Sequence, residues 1–308
     1  MTMRVASAVA TAADAFADRA AISDGDCLHD YASVWEAMEC FGAGLTEARV
    51  RPGTRVGIYV GSGYEALLAM LAVEQIGAVA APLDICDPPE LTRRKIAEIG
   101  IGHLIGHRRD EHILTEVVDE IDALGPTMVS VAGDYTLARL ASGRTEPDGR
   151  DGFAFCLPDG AGALEVGSSV LTAAALEMRD DIDATVSDVV AVTEPLTTRV
   201  VLTSVLATLL AGACLSVRRC GGANPAWIAE QLHSDEASIL LCSNDRLMAL
   251  RGAGVRTTGP LRVLELTEER ACVRAYDGLG GRYRAEPLPE SADRVRYGTH
   301  SGAYPCRG

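Results

Sequence analysis

Lysine is nearly absent from this sequence. Of its 28 basic residues only Lys95 is a lysine, and the rest are arginine. Chemistry that needs lysines at two positions is therefore excluded. Long basic runs are missing too, the longest being Arg93-Arg94-Lys95 and Arg108-Arg109. With a net charge of −15 the surface repels phosphate backbones, so nucleic acid is excluded as a partner. The nine cysteines form no C-x-x-C pair. They sit in apolar or mixed segments such as Ile85-Cys86 and Leu241-Cys242, which reads as reduced, mostly buried thiols in a cytoplasmic protein.

A secretory leader and a membrane span are also not expected. Arg4 and the run Val5–Ala10 imitate a leader, but Asp14 and Asp18 follow, so an amphipathic first helix is the reading. The uncharged run Val200–Val217 is long enough to suggest a span. Thr203, Ser204 and Thr208 are polar, however, and Gly212 interrupts it. A buried helix, a glycine turn and a core strand from Cys214 account for it better.

What is present is an alternation of strand-like and helix-like stretches. Asp30 is placed to cap a helix through Leu45, on the apolar spacing Val34, Met38, Phe41, Leu45. Strands are expected at Val56–Val60, Ala78–Pro82 and Ile101–Ile105, with helices between them. The second half repeats the pattern, with strands at Phe153–Leu157, Val189–Val192, Ile239–Cys242 and Leu261–Leu266. This alternation predicts an α/β fold with mainly parallel sheets. Residues 141–152 contain three glycines, one proline and no apolar run. They are expected to link an α/β subdomain at 1–140 to a second one at 153–308.

The run Val73-Glu74-Gln75-Ile76-Gly77-Ala78-Val79-Ala80-Ala81-Pro82-Leu83-Asp84 resembles a signature of the adenylate-forming enzymes, which include acyl-CoA synthetases, luciferases and the adenylation domains of nonribosomal peptide synthetases. Other segments fall in the family's order: Leu28-His29-Asp30-Tyr31, Arg51-Pro52-Gly53-Thr54-Arg55-Val56, Ser187-Asp188-Val189-Val190, Glu194-Pro195-Leu196, Leu209-Leu210-Ala211-Gly212-Ala213 and Tyr297-Gly298. The resemblance runs from about residue 10 to about residue 300. It implies the layered α/β subdomains of the family's N-terminal domain, truncated before its C-terminal lid.

The family activates a carboxylate with ATP and often passes the acyl group to a thiol. The resemblance implies a phosphate loop after the strand at Phe153, ending in Pro-Lys-Gly. Here the segment holds Asp159, Gly160, Ala161, Gly162, Ala163 and Gly167. The lysine position falls on Leu164 or Gly167, depending on the alignment. Asp159 and Glu165 bring negative charge where phosphates would lie, and like charges at close range repel by several kcal/mol. After Tyr297-Gly298 the family's magnesium-associated glutamate is missing. No cofactor is therefore expected, ATP and magnesium included.

Three smaller groupings have plainer readings. His103, His107 and His112 are expected to be surface histidines around a short strand rather than metal ligands. Ser62 is expected in a turn before a helix. Cys156, flanked by Phe155 and Leu157 with no cation near it in sequence, reads as an inert buried thiol. Asp159 is the best single acid–base candidate. Thr197, Thr198, Tyr297 and Gly298 are the candidate acyl or aryl pocket.

The expected function is that of an accessory or binding protein of a biosynthetic pathway. Its partners would be a small acyl or aryl carboxylate or its thioester, a partner enzyme or a carrier protein. An enzyme using the old pocket without ATP is the alternative, and a ligase completed by another chain is a third. A homodimer or a partner is expected to cover faces that the family's other parts would bury.

Overall fold

A computed structural model describes residues 3–61, 63–119, 127–131, 134–140, 151–156, 162–218, 224–256, 261–266, 271–276, 279 and 283–284. In chain order the first half holds α1 (Val5–Phe16), β1 (Ala20–Ser23), β2 (Leu28–Asp30), α2 (Tyr31–Glu47), β3 (Arg55–Tyr59), α3 (Gly63–Gln75), β4 (Val79–Pro82), α4 (Pro89–Ile99), β5 (His103–His107), α5 (Glu111–Asp119), β6 (Thr127–Val131) and β7 (Tyr135–Arg139). The second half holds β8 (Gly152–Cys156), β9 (Ala163–Gly167), α6 (Ser168–Ile182), β10 (Val189–Val192), α7 (Arg199–Leu210), β11 (Cys214–Val217), α8 (Pro225–Ser234), β12 (Ile239–Ser243), α9 (Asn244–Gly252), β13 (Leu261–Leu266), β14 (Ala271–Tyr276) and β15 (Tyr283–Arg284).

These strands form two sheets, ordered β6-β7-β5-β3-β4-β8-β9 and β15-β14-β13-β12-β10-β11-β1-β2. Each has a parallel centre, as the alternation of elements predicts. The parallel centres are β5-β3-β4-β8 in the first sheet and β13-β12-β10-β11-β1 in the second. Antiparallel strands close the edges.

The sheets do not follow a division at 141–152. β1 and β2 belong to the second sheet, while β8 and β9 belong to the first. Of the expected linker only Asp151 and Gly152 are among the described residues, and Gly152 is already in β8. Its φ of 126° and its approach to β9, where an added Cβ would lie 2.2 Å from the Val166 carbonyl oxygen, explain why glycine stands there.

Helices α1, α2, α3, α6 and α7 pack between the two sheets and supply the largest apolar cluster. Helices α4 and α5 cover the other face of the first sheet, and α8 and α9 the other face of the second. A central helix has no polar side to turn to water. Accordingly α3 is buried continuously from Leu67 to Glu74, and α7 from Val200 to Leu209. That is the physical basis of the uncharged run Val200–Val217, which is α7, a turn at Gly212 and β11. Among the described residues no helix is long and apolar enough to cross a membrane.

Two polar devices tie the central layer together. Asp30 caps α2, accepting from the Ser33 amide at 2.7 Å as its position predicts. The Tyr31 hydroxyl lies 2.9 Å from both the Leu209 and Ala213 carbonyl oxygens, joining α2 to the end of α7. The second device is Glu74, whose side chain is fully buried. Its carboxylate accepts from the Ala6 amide at 2.8 Å, from Ser168 Oγ at 2.5 Å and from Arg4 Nε at 3.1 Å. Ser168 Oγ in turn accepts from the Val5 amide at 2.9 Å. One acid thus sits at the amide-rich starts of α1 and α6, where helix dipoles favour negative charge.

Candidate functional site

The parallel strands of both sheets end at one open cleft. β3, β4, β10 and β11 deliver their C-terminal residues to it, and the start of α3 closes one side. That is where open α/β sheets place ligands, because loops rather than strands decide the surface there. The cleft spans about 530 Å³ when open solvent at its mouth is counted, but the enclosed room is only about 40 Å³, so it is a shallow groove. Ile58, Met70, Leu83, Val192, Leu196 and Val217 give it apolar walls. Gly63 lets α3 approach β11 closely: an added Cβ would come 2.9 Å from Val217 Cβ.

Four polar side chains also line it: Asp84, Glu194, Thr197 and Arg218. Glu194 is committed elsewhere, accepting from the Ser243 amide at 2.8 Å and from Arg246 Nε at 3.0 Å. Asp84 accepts from the Cys86 amide at 2.9 Å. Arg218 donates through Nη2 to Asp235 at 3.1 Å and to Ser234 Oγ. Of the two threonines picked out in the sequence, Thr197 lines the cleft. Thr198 does not, because its hydroxyl caps α7 by accepting from the Val201 amide at 3.4 Å. Tyr297 and Gly298 lie outside the described residues.

The segment read as a phosphate loop is part of a β-hairpin. Ala163 and Gly167 belong to β9, which pairs antiparallel with β8 from Cys156↔Ala163 to Gly152↔Gly167. Gly162 precedes it with a φ of 129°. Asp159, Gly160 and Ala161 lie outside the described residues, as does Ser62. Glu165 needs correction as a charge aimed at phosphates. It is ion-paired at 2.6 Å with the buried Arg55 of β3, which offsets its charge.

The single lysine is also accounted for. Lys95 stands on α4 with its Nζ 2.6 Å from Asp87 Oδ2. Cys156 does have cations near it, contrary to the sequence reading, since Lys95 and Arg94 both act on it electrostatically. Burial outweighs their pull, and with Glu98 and Asp87 it pushes the thiol up to about 11, although Cys156 is only half-buried rather than the buried thiol expected. The cysteines as a set are less buried than expected. Cys214 and Cys242 are buried, but Cys27, Cys40 and Cys86 are exposed.

The histidine expectation fails in one respect. His103 and His107 are not on the surface, because β5 includes both and is paired by β3 on one side and β7 on the other. His107 accepts from the Arg109 amide at Nδ1, 3.1 Å away, and faces Glu65 with Nε2 at 3.4 Å. His103 is 4% exposed and neither ring nitrogen has a hydrogen-bond partner. Burial, with a smaller push from Arg139, lowers its pKa to about 4. No group of three or more metal-ligating side chains forms among the described residues.

Sequence reasoning missed the cleft roles of Asp84, Glu194 and Arg218. Asp84 and Glu194 stood inside the family-like runs, and Arg218 was visible only as a charge ending an apolar strand.

Two nested β/α layers with a cleft at the strand ends form the fold of the N-terminal domain of adenylate-forming enzymes. Solved structures of similar fold include the following two. One is the nonribosomal peptide synthetase FmoA3, at 18% identity and a TM-score of 0.61 over 81% of this chain and 26% of that one. The other is the NpsA N-terminal subdomain of Klebsiella oxytoca, at 15% identity and a TM-score of 0.66 over 93% and 79%. Residues 9–151 match the model of the AMP-binding enzyme family. N-(5-amino-5-carboxypentanoyl)-L-cysteinyl-D-valine synthase of Amycolatopsis lactamdurans is 30% identical over 105 residues, which are 33% of this chain and 3% of that synthase. Over residues 9–151 the chain is similar to the AMP-binding enzyme family, and it spans a small part of the synthetases it matches.

Proposed function

We propose that the protein binds a small acyl or aryl carboxylate, or the corresponding thioester, in this cleft and does not activate it with ATP. The observation that carries the reading is the cleft, with apolar walls at the ends of both parallel sheets and no lysine in its lining. The sequence has no second lysine to stabilise phosphate charge, and Lys95 is spent on Asp87. The NpsA subdomain of similar fold was solved in complex with 3-hydroxybenzoyl-AMSN, which supports an aryl-sized occupant. On this reading the protein is a cytoplasmic accessory of a biosynthetic pathway that passes its ligand to a partner enzyme or carrier protein, and a homodimer is a further expectation.

The decisive experiment is pyrophosphate exchange. With ATP, magnesium and benzoate, 3-hydroxybenzoate or butyrate, exchange should stay at the background seen without acid. Acid-dependent exchange would overturn the proposal. Thermal stabilisation by ATP would weaken its second half while leaving the cleft intact.

A further inference from the structure

Among the described residues lining the cleft there is one cation, Arg218. It follows β11 and is fixed from two sides. Its Nη2 is held by Asp235 and Ser234, at the end of α8. The turn between β1 and β2 packs on it, so that an added Cβ on Gly25 would lie 3.1 Å from both Cζ and Nε. That turn buries Nε, which has no hydrogen-bond partner. No hydrogen bond from Nη1 is formed among the described residues, whereas Nη2 is held on Asp235 and Ser234. A residue lining an apolar-walled cleft thus has one guanidinium arm without a partner among the described residues.

The neighbouring acids do not compete for that arm. Glu194 is bound to Arg246 and Ser243, and Asp84 sits on the other sheet, at the end of β4. A carboxylate reaching Nη1 would gain a charge-assisted hydrogen bond, the stronger kind. Because Asp235 and the Gly25 turn already hold the side chain, binding would cost little rotamer freedom. An arginine is the suitable residue, since its planar group can serve a structural partner and a ligand at once.

We propose that Arg218 is the carboxylate anchor of the cleft. The ligand is a small acid whose acyl or aryl body lies against Ile58, Met70, Leu83 and Val192 and whose carboxylate accepts from Arg218 Nη1. The inference rests on the acyl or aryl reading of the cleft and adds an orientation to it. The acid group points to the second sheet, away from the β8–β9 hairpin of the first sheet, which the sequence resemblance assigns to phosphate binding.

Calorimetry on the full chain tests this with two matched pairs of probes, benzoate with benzamide and butyrate with butyramide. The acid of the better-binding pair should bind at least about tenfold tighter than its amide. Arg218→Gln should abolish that preference while leaving the amide's affinity within about twofold, and Arg218→Lys should restore part of it. An acid preference that survives in Arg218→Gln would overturn the anchor and leave the cleft reading standing. Should Arg218→Gln fail to fold, the wild type decides, because equal affinity for acid and amide overturns the anchor by itself. If no probe binds at any concentration, the cleft reading fails and takes the anchor with it.

Discussion

Glu74 and Arg218 show two ways of holding a charge inside this protein. Glu74 is wholly buried and surrounded by donors from α1 and α6 and by Arg4. Nothing of it is left for a ligand. Arg218 is tied down by Asp235 and lines the cleft. The difference separates scaffold from site more sharply than burial or charge alone. A buried charge with a full set of partners fixes elements relative to one another, while a fixed charge with an unspent donor can report on what enters.

The comparison breaks most visibly at Glu74. Glu74→Ala removes the acid but leaves Arg4 and the amide starts of two helices without it, so a loss of about 3–5 kcal/mol is expected in chemical denaturation. Ser168→Ala should cost less, about 2 kcal/mol, since it removes one donor to the acid and the acceptor of the Val5 amide but leaves the charge in place. If Glu74→Ala shifts the midpoint no more than Ser168→Ala, the acid is not the hub described.

A third buried group sharpens the contrast from the opposite direction, because His103 has no partners at all. Its folded pKa of about 4 lies below the ordinary histidine value of 6.5. Between those values the unfolded chain binds a proton that the folded chain does not. Stability should therefore fall as pH drops from 6.5 to 4, by about 3 kcal/mol from this group, and fall no further on its account below that. Melting temperatures measured over that range for the wild type and His103→Leu should converge towards neutral pH in slope, with the variant flatter below it. Parallel curves would show that the ring is not buried neutral.

The smallest effect is expected at Lys95. Its ion pair with Asp87 is partly exposed, with side chains 20% and 19% accessible. Lys95→Met should cost at most about 1 kcal/mol. It should also leave probe binding in the cleft unchanged, as measured by the same calorimetry. A lost acid preference in that variant would move the functional cation from Arg218 to Lys95.

Much of this was legible in the sequence, for reasons that can be traced. The spacing Val34, Met38, Phe41, Leu45 and the cap at Asp30 located α2 because a helix writes its buried face and its start locally. β3, β4, β10 and β12 were legible because strands buried on both faces are short continuous apolar runs. β1, β2, β7, β9, β14 and β15 were not read as strands. β1 and β2 span four and three residues, too few to show an alternation. β9, Ala163–Gly167, places only Val166 inside and pairs Glu165 with Arg55, a partner 110 positions away. At the site, Thr197 could be proposed from the run around Pro195. Arg218 could not, because what makes it special is a leftover donor, and that depends on Asp235, Ser234 and Gly25 all meeting it in space.

The exchange of strands between the sheets has a consequence for how the chain must fold. The first sheet lacks β8 and β9 until residues beyond 151 have been made, and the second sheet draws β1 and β2 from the chain's beginning. β1 must wait for β11, whose partner residues are Ile22 and Leu215. Neither half is a self-sufficient folding unit, and the closing contacts join the most distant parts of the sequence. Such long-range closure slows folding. The early β1–β2 hairpin therefore waits through synthesis with its β1 edge unpaired until β11 arrives, and the contact of its turn with Arg218 is among the last parts of the cleft to be assembled.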